Sequence, residues 1–230
     1  MEGKPGISDV VERFNGAAEK YDPQRRFFIP CFDDFYETSI SFLASIRSDF
    51  RSILDLGAGT GLLTKYLYEH FKPARFTLVD VAEMMLEVAR QRFHGLDAFT
   101  YAVCDYSREF PAGTYDLVAS ALSIHHLEDE AKANLYRAIY NALEEKGWFI
   151  NLDQFNSGSA YIEEYYNKWW YEFIKRSGIT QGEEESMRKR RELDKENTID
   201  ETKQLLKDAG FSHVECIYNY MKFGVLIAGK

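Results

Sequence analysis

The stretch Ser52-Ile53-Leu54-Asp55-Leu56-Gly57-Ala58-Gly59-Thr60-Gly61 decides the fold of this chain. Its first five residues form a short apolar run that is typical of a buried β-strand. The three glycines at alternate positions permit a tight turn and a close approach of the backbone to a ligand. Apolar residues then recur at helical spacing from Leu62 to Phe71. The stretch therefore predicts a strand, a glycine loop and a helix with free N–H groups at its start.

The same alternation of strands and helices continues along the chain from this point. The predicted strands cover 76–80, 99–103, 115–120 and 148–152, and the predicted helices between them cover about 83–93 and 129–144. Strands that alternate with helices of this length indicate βαβ units and a parallel sheet with right-handed crossovers.

The two ends of the chain depart from this alternation. Residues 7–46 predict helices, which Tyr21-Asp22-Pro23 and Pro30 interrupt. After residue 152 the pattern predicts a long helix over about 159–177, a charged segment over 183–197, a helix over about 199–209 and two strands over 213–220 and 222–228. Because a short connection joins these two strands, we expect the sheet to finish with an antiparallel pair.

Three carboxylates stand where a ligand at one edge of this sheet needs hydrogen-bond acceptors. Asp55 precedes the glycine loop and can accept from an ammonium group, and Asp80 ends the second strand, where a carboxylate hydrogen-bonds a ribose diol. Asp105, with Tyr106 beside it, follows the third strand and can accept from an adenine amino group. Two structural alternatives stay open. Asp80 can cap the helix that begins near Glu83, and Asp105 can form a turn.

These residues resemble the class I S-adenosylmethionine-dependent methyltransferases, whose pattern is D-x-G-x-G-x-G, an acid ending strand two and an Asp after strand three. The resemblance continues at Tyr115-Asp116-Leu117-Val118 in the fourth strand. It extends to Leu143-Glu144-Glu145-Lys146-Gly147-Trp148, which is similar to the family's L-x-P-G-G turn without its Pro and second Gly. The dinucleotide spacing GxGxxG would need Gly at position 62, where this chain has Leu, so a nicotinamide-dependent dehydrogenase is the runner-up.

The segment before the sheet carries a second resemblance. Phe14-Asn15-x-x-Ala18-x-x-Tyr21-Asp22-x-x-x-Arg26 is similar to the F-D-x-x-A-x-x-Y-D-x-x-R segment of small-molecule methyltransferases, which often forms a lid over the cofactor. A core-facing helical stripe is the alternative for Phe14 and Tyr21.

Residues 30–50 and 155–230 resemble more narrowly the bacterial carboxy-S-adenosylmethionine synthase group. The shared segments are Lys175-Arg176-Ser177-Gly178, Ala209-Gly210-Phe211 and Phe223-Gly224. By this resemblance the carboxylate-binding Arg of the synthase falls at Leu205. Leucine cannot clamp a carboxylate as a guanidinium does, so we expect ordinary methyl transfer.

The resemblance implies S-adenosyl-L-methionine as the cofactor and one site that holds it. The predicted cofactor-binding residues are Tyr21, Arg26, Phe32, Asp55, Gly57, Ala58, Gly59, Gly61, Asp80, Val81, Met84, Asp105, Tyr106, Ser120, Ala121 and His125.

Two histidines follow the fourth strand, at the carboxyl edge where sheet ligands bind. His125 is the predicted catalytic residue, as a base or an orienting group, and the alternative is that it only lines the cofactor pocket. His126 is expected to be buried against the next helix. Two adjacent histidines do not make a metal site without further ligands, so no metal is predicted.

Aromatic residues are concentrated between Phe155 and Phe173. We predict that Tyr165 and Trp169 line a substrate pocket, because such rings hold an apolar or cationic acceptor. A core-facing helix or a homodimer contact through 155–173 is the alternative. The basic run at 188–191 is flanked by acids, which favours a solvated, self-paired helix.

Composition narrows the class of function. The 230 residues carry a net charge of −9, which argues against a nucleic-acid groove, and 15% of them are aromatic. The three cysteines have no CxxC spacing. No apolar run is long enough to span a membrane and no signal peptide is visible, so we expect a cytoplasmic protein.

The sequence thus predicts an α/β enzyme with a Rossmann-like, seven-stranded, mostly parallel sheet, an antiparallel last strand and helices on both faces. One domain of 1–230 would comprise a helical lid (1–48), a cofactor-binding core (51–153), a helical insertion after strand five that forms a cap (154–198) and a C-terminal helix with a strand pair (199–230). The predicted function is methyl transfer to a small-molecule acceptor. The alternatives are a carboxy-S-adenosylmethionine synthase-like enzyme, the dehydrogenase and a non-catalytic cofactor-binding module.

Overall fold

The fold is built on one mixed β-sheet. The computed structural model of the chain describes residues 7–16, 18 and 21–230. Within them the sheet has seven strands: β1 (Ser52–Leu56), β2 (Arg75–Asp80), β3 (Phe99–Val103), β4 (Tyr115–Ala121), β5 (Leu143–Gln154), β6 (His213–Tyr220) and β7 (Phe223–Gly229).

The strand order is β3-β2-β1-β4-β5-β7-β6. Strand β1 pairs in parallel with β2 and β4, and β7 runs antiparallel between β5 and β6. The predicted seven-stranded sheet with an antiparallel last strand is confirmed. The chain winds outward in opposite directions from β1 and β4, so the carboxyl ends of these strands form the crevice where ligands of such sheets bind.

Helices cover both faces of the sheet, as predicted. They are α1 (Ile7–Asn15), α2 (Tyr21–Phe28), α3 (Ser39–Ile46), α4 (Leu62–His70), α5 (Glu83–Arg92), α6 (Asp129–Ala142), α7 (Ala160–Arg176), α8 (Gln181–Arg191) and α9 (Ile199–Ala209), with a π-helical turn over Asp34–Thr38 before α3. The side chains of adjacent β1 residues enter different cores, because strand side chains alternate between faces. Ile53 packs in the core with helices α3 to α5, and Leu54 packs in the core with α6 and α9.

Three boundaries differ from the predicted ones. The break predicted at Tyr21-Asp22-Pro23 is the start of α2, because proline is tolerated in the first turn of a helix, where its missing N–H is not needed. Helix α6 ends at Ala142 rather than 144, and β5 begins at Leu143, with a register shift against β4. The charged segment 183–197 begins inside α8, which a capping box between Thr180 and Glu183 opens.

Helices α7 and α8 are fastened over the carboxyl edge of the sheet. Trp170 Nε1 donates to the carbonyl of Phe28 at 2.6 Å, which ties α7 to α2. Lys222, only 1% exposed, binds the carboxylates of Glu163 and Glu196. A backbone hydrogen bond holds the segment 192–198, which joins α8 to α9. The N–H of Lys195 donates to the carbonyl of His125 at 2.7 Å.

A search of the described helices for a membrane-spanning segment finds none with the length and apolar character to cross a bilayer.

Candidate active site

Two adjoining cavities open at the carboxyl edge of the sheet. The large cavity, of about 310 Å³, lies against the glycine loop. The small cavity, of about 50 Å³, is lined by residues of α2, α7 and α8. Phe14, Tyr21, Leu122 and His126 line both cavities, so these four residues mark the junction between them.

The glycine loop provides bare backbone at the large cavity. Gly57 and Gly59 have φ angles of 68° and 54°, which residues with side chains rarely adopt. A Cβ atom on Gly57 would lie 1.9 Å from Ser123 Oγ, so no side chain fits there. The N–H groups of Gly57 and Ala58 donate to the carbonyl of Val79 at 2.8 and 3.0 Å, which fixes the loop to β2.

Asp80 lines the large cavity and holds the glycine loop. Its two carboxylate oxygens accept from the N–H groups of Gly59 and Ala82, each at 2.8 Å. The bond to Ala82 is a local turn rather than a helix cap, because Ala82 itself is the N-cap residue of α5, so the helix-capping alternative for Asp80 is wrong. Burial raises the pKa of Asp80, and these N–H bonds oppose the rise. Each oxygen keeps a second lone pair, so these backbone hydrogen bonds and ligand binding are compatible.

Asp55 lies at the end of β1 and is 1% exposed. Its Oδ2 accepts from Thr64 Oγ1 at 2.5 Å, whereas Oδ1 is buried with no partner among the described residues. Burial raises the pKa of Asp55 to about 7. Because a buried acceptor without a donor is costly, Oδ1 is suited to a donor that a ligand supplies, such as an ammonium group.

Asp105 and Tyr106 also line the large cavity. Asp105 Oδ1 accepts from the N–H and the hydroxyl of Ser107 at 3.1 and 2.6 Å, which is the turn that the structural alternative predicts. Its side chain stays 23% exposed. The Tyr106 hydroxyl lies 2.5 Å from Ser123 Oγ, which orients the ring.

The structure brings only part of the predicted cofactor set to the cavity surface. Tyr21 and Val81 line the large cavity together with the loop and the acids, and His125 lines the small one. The predicted residues that line neither cavity are Arg26, Phe32, Asp55, Ala58, Gly61, Met84, Ser120 and Ala121. Ser120 is fully buried and its Oγ donates to a β1 carbonyl at 2.8 Å, so it supports the strands beneath the site.

Three predicted side chains stand one residue away from one that lines a cavity. The cavity-lining neighbours are Arg25 for Arg26, Met85 for Met84 and Trp170 for Trp169. One residue along a helix turns the side chain by about 100°, so a shift of one position moves it off the facing surface.

The displaced side chains have other partners on the surface of the protein. Arg26 donates to both carboxylate oxygens of Asp33, at 2.8 and 2.6 Å. The Trp169 ring stacks on Phe173 with centroids 5.7 Å apart. Tyr165 is 54% exposed. The predicted substrate-pocket pair, Tyr165 and Trp169, therefore lies outside both cavities.

His125 lies on the 3₁₀ turn Ile124–His126 and is 4% exposed. Its Nδ1 binds the carboxylate of Asp153, and its Nε2 lies 3.4 Å from Asp194 Oδ1. Burial opposes the charged imidazole, but the two carboxylates outweigh burial and raise the pKa of His125 to about 10. A ring that is protonated at neutral pH cannot accept a proton, so this geometry favours the orienting role over the role of a base.

His126 differs from its neighbour in exposure and charge. Its side chain is 12% exposed, and its Nδ1 lies 3.3 Å from Asp194 Oδ1. Burial, followed by the positive charge of His125, lowers the pKa of His126. The Phe14 ring packs edge-on against it with centroids 5.5 Å apart.

Two arginines give the small cavity a positive charge. Arg25 Nε is buried without a hydrogen-bond partner, and its guanidinium lies 4.0 Å from the centroid of the Tyr21 ring. Arg190 is 8% exposed and donates to Ser186 Oγ at 3.0 Å. Burial, together with the charge of Arg25, lowers the pKa of Arg190 to about 10. Neither guanidinium forms an ion pair with a described residue.

The charges around the histidines bear on metal binding. His125, His126 and Asp194 place three potential ligand atoms within 4.8 Å of one another. Arg191 already pairs with Asp194 at 3.1 Å, and the two unpaired arginines face the same cavity. Because this environment favours an anion over a cation, the expectation of no metal stays a prediction.

Leu205 lies far from the chemistry that the synthase resemblance assigns to it. It belongs to α9 and packs, half-buried, in the core that α9 shares with α6. It lines neither cavity, whereas Arg25 and Arg190 do. The inference against a carboxylated cofactor that rests on Leu205 therefore loses its basis, because the guanidinium groups come from other positions.

Several residues that line the cavities lie in or directly after the basic run 188–191, for which the sequence predicted a solvated, self-paired helix. Leu193 and Lys195 line the large cavity, and Arg190, Arg191 and Asp194 line the small one. The signal that could have found them is the apolar spacing of Met187, Arg190 and Leu193 on one face of α8 and its continuation, since long Arg stems bury their apolar part.

Comparison with known proteins finds similar proteins of one class. Residues 53–147 match the family model described as a methyltransferase domain. The carboxy-S-adenosyl-L-methionine synthase of Helicobacter hepaticus is 26% identical over 97% of this chain and 93% of its own length. The synthase of Methylococcus capsulatus is 29% identical over 86% of this chain and 89% of its own length.

A solved structure shares the fold. It is the N-methyltransferase NodS from Bradyrhizobium japonicum in complex with S-adenosyl-L-homocysteine, which is 17% identical with a TM-score of 0.66 over 95% of this chain and 96% of its own. The chain carries a methyltransferase domain over 53–147, and it resembles the class I S-adenosylmethionine-dependent methyltransferases and, within them, the carboxy-S-adenosylmethionine synthase group. These similarities favour S-adenosylmethionine over a nicotinamide dinucleotide as the cofactor.

Proposed function

We propose that the large cavity binds S-adenosylmethionine and that the acceptor, a small molecule, enters the small cavity. The observation that carries the proposal is the junction of the two cavities, where Tyr21, Leu122 and His126 line both. When bound, S-adenosylmethionine supplies an electrophilic methyl group on a sulfonium sulfur. The residues of the chain bind and align the two molecules and exclude water from the junction.

The residues of the large cavity, together with Asp55 before the glycine loop, fit this cofactor on three observations. Asp55 Oδ1 is a buried acceptor with no donor, which suits the ammonium group. Asp80 keeps lone pairs that suit the ribose diol, and Asp105 presents a carboxylate that suits the adenine amino group. The cofactor contacts that we propose are Tyr21, Asp55, Gly57, Gly59, Asp80, Val81, Asp105 and Tyr106.

The small cavity favours an anionic acceptor. Arg190 is buried, Arg25 is half-buried with its Nε atom buried, and neither has an ion-pair partner among the described residues. A carboxylate or phosphate on the acceptor would supply the counter-charge, since guanidinium binds such groups through paired hydrogen bonds. The rings of Phe28 and Trp170 would cover the apolar body of the acceptor.

The test is a screen of metabolite-extract fractions with S-adenosylmethionine that carries a labelled methyl group. We expect a labelled product from an anionic fraction. Arg190→Gln should raise the KM for that acceptor at least tenfold, whereas Arg188→Gln, on the exposed side of the same helix, should leave it unchanged. Label transfer from a cationic fraction alone would contradict the anionic acceptor.

A carboxy-S-adenosylmethionine synthase-like activity is the second candidate. Two observations favour it: the synthases that this chain resembles over most of its length, and the two guanidinium groups, which would equally bind a carboxylate on the cofactor. Mass spectrometry of the nucleoside that copurifies with the protein separates the candidates. Methyl transfer predicts S-adenosylmethionine or its demethylated product, and the second candidate predicts a nucleoside heavier by one carboxylate group.

We further propose that the chain forms one domain, acts in the cytoplasm, does not bind nucleic acid and pairs into a homodimer through 155–173. The charge of −9 supports the third point. Tyr161, Ile162 and Tyr165 are 67%, 40% and 54% exposed on one stretch of α7, which supports the fourth. Sedimentation equilibrium tests the dimer: Tyr161→Glu should shift it to monomer, and a wild-type monomer would contradict the pairing.

A further inference from the structure

We propose that His126 is the catalytic proton acceptor, which takes a proton at Nε2 from the nucleophile of the acceptor. This inference rests on the proposed function. The first observation that supports the inference is the position of His126. This residue lines both cavities and therefore lies where the acceptor and the methyl group would meet. His125 lines only the small cavity of the two.

Three neighbours fix the orientation of the His126 ring. Asp194 Oδ1 lies 3.3 Å from Nδ1, the His125 ring lies 4.0 Å away between centroids, and Phe14 packs against its edge. A ring held on three sides has little freedom to turn its Nε2 away from the cavities, and such fixed placement is what general-base catalysis needs.

The two nitrogens of His126 have different surroundings. Nδ1 is buried beside the Asp194 carboxylate, although the contact lacks the alignment of a full hydrogen bond. Nε2 forms no hydrogen bond with any described residue and is not buried. A proton on Nδ1 faces a negative charge, so the neutral ring keeps its lone pair on Nε2, the ring nitrogen that is not buried.

The surrounding charges keep His126 neutral but ready to accept. The charged and titratable groups around it are Asp153, Asp194, His125, Arg25, Arg190, Arg191 and Lys195. Burial lowers the pKa of His126 most and the positive charge of His125 lowers it further, whereas Asp194 and Asp153 oppose the shift. Asp194 stabilises the ring once it gains its proton, because the imidazolium then faces a carboxylate.

His125 and Asp194 are positioning residues in this account. Asp194 is shared between the two histidines, and Asp153 holds the other side of His125. The chain Asp153–His125–Asp194–His126 links β5 to the segment after α8. In this chain of contacts the His125 imidazolium holds the Asp194 carboxylate toward His126.

The step balances as an acid–base and displacement event. The acceptor nucleophile, a hydroxyl or an amine, forms a bond to the methyl carbon, and the carbon–sulfur bond breaks with its electron pair going to sulfur. The proton that leaves the nucleophile moves to His126 Nε2 and then to solvent through the large cavity. An acceptor that carries no such proton, such as a thioether, would not use His126.

Diethyl pyrocarbonate, which acylates accessible unprotonated imidazoles, tests the state of His126 directly. Mass spectrometric mapping of the full-length protein at pH 7.5 should find His126 modified and His125 unmodified. The exposed His213 serves as an internal reference. S-adenosylhomocysteine should slow the modification of His126 at least fivefold without changing that of His213. An unmodified His126, or modification of His125 at the same rate, would overturn the proposal.

Nuclear magnetic resonance of ring-labelled histidines provides the second readout. We expect wild-type His126 to carry its proton on Nδ1, and Asp194→Asn, but not Asp200→Asn, to abolish that preference. A proton on Nε2, or an imidazolium at pH 7.5, would overturn the proposal. Calorimetry with S-adenosylhomocysteine on the same sample tests the cofactor site independently of His126. Absence of binding would refute the cofactor site without changing the measured protonation state of the His126 ring.

Discussion

Gly57→Ala is the substitution that most sharply separates cofactor binding from folding. The new Cβ would lie 1.9 Å from Ser123 Oγ and 2.4 Å from Ser123 Cβ. To reach an ordinary contact of 3.4 Å, the loop or Ser123 must move by about 1.5 Å. Because Ser123 also bonds Tyr106, that movement would disturb the wall of the large cavity as well as the loop.

The magnitude has two parts. The positive φ of 68° at residue 57 costs about 1–2 kcal/mol for alanine, which lowers the melting temperature of a protein of this size by about 2–8 °C. The displacement adds a loss of ligand fit, and misplacement by about 1 Å can cost on the order of 100-fold in rate. We expect the affinity for S-adenosylhomocysteine to fall at least tenfold, which is about 1.4 kcal/mol.

Two further variants make the test specific. Gly95→Ala has a similar φ of 79° but nothing within 4 Å of its Cβ, so it should lose stability to a similar extent and keep full affinity. Ser123→Gly combined with Gly57→Ala removes the collision and should recover part of the affinity. The measurements are differential scanning calorimetry and isothermal titration calorimetry. Full affinity in Gly57→Ala would refute the placement of the cofactor on this loop.

Three more outcomes follow from the buried charges. Lys222→Met removes the ion-pair partner of Glu163 and one of the two partners of Glu196, and it should cost about 3–5 kcal/mol of unfolding free energy in urea titration. Lys203→Met, which breaks an exposed pair, should cost less than about 1 kcal/mol. The pKa of His125 is raised to about 10 in the folded protein, so its contribution to stability is complete below pH 6.5 and is lost as the pH rises to about 10. Unfolding free energies measured across that range should fall with pH, and the same slope in His125→Gln would contradict the pairing. The pKa of Asp55 is raised to about 7 in the folded protein, so its ionised form destabilises the free protein above that pH. Asp55→Asn should therefore melt at a higher temperature at pH 8 and bind S-adenosylhomocysteine more weakly. A lower melting temperature with unchanged affinity would contradict the role of Asp55.

The central part of the fold was predictable because local patterns and sheet geometry agree there. The run from Ser52 to Gly61 combines a strand period, a loop that only glycine fits and a helix start, and the carboxyl ends of β1 to β3 then bring Asp80 and Asp105 to one edge. Parallel pairing of these strands is enough to place the two carboxylates at that edge, so no prediction of a long-range side-chain contact was needed.

The small cavity was not predictable in the same way. Asp194 reaches His125 and His126 across nearly seventy residues of chain, and nothing in the flanking charges distinguishes it from a solvated acid. The position of Arg25 rather than Arg26 depends on the phase of α2, which starts at the very residues that read as a break. An error of one residue in a helix start turns every later side chain by about 100°.

The roles of the two histidines depend on burial, which sequence alone does not give. Adjacent residues on a tight turn point in different directions. One reaches two carboxylates and holds a proton, and the other reaches the cavity surface and stays neutral. The sequence predicted chemistry at this turn and favoured His125, whereas the structure puts His126 at the junction of the two cavities.

Isothermal titration of the purified protein with S-adenosylhomocysteine, run beside NADH, tests the central claim most directly. The account predicts one site per chain for S-adenosylhomocysteine, weakened at least tenfold by Asp80→Ala, and no heat from NADH. Binding of NADH, or S-adenosylhomocysteine binding that Asp80→Ala leaves unchanged, would contradict it.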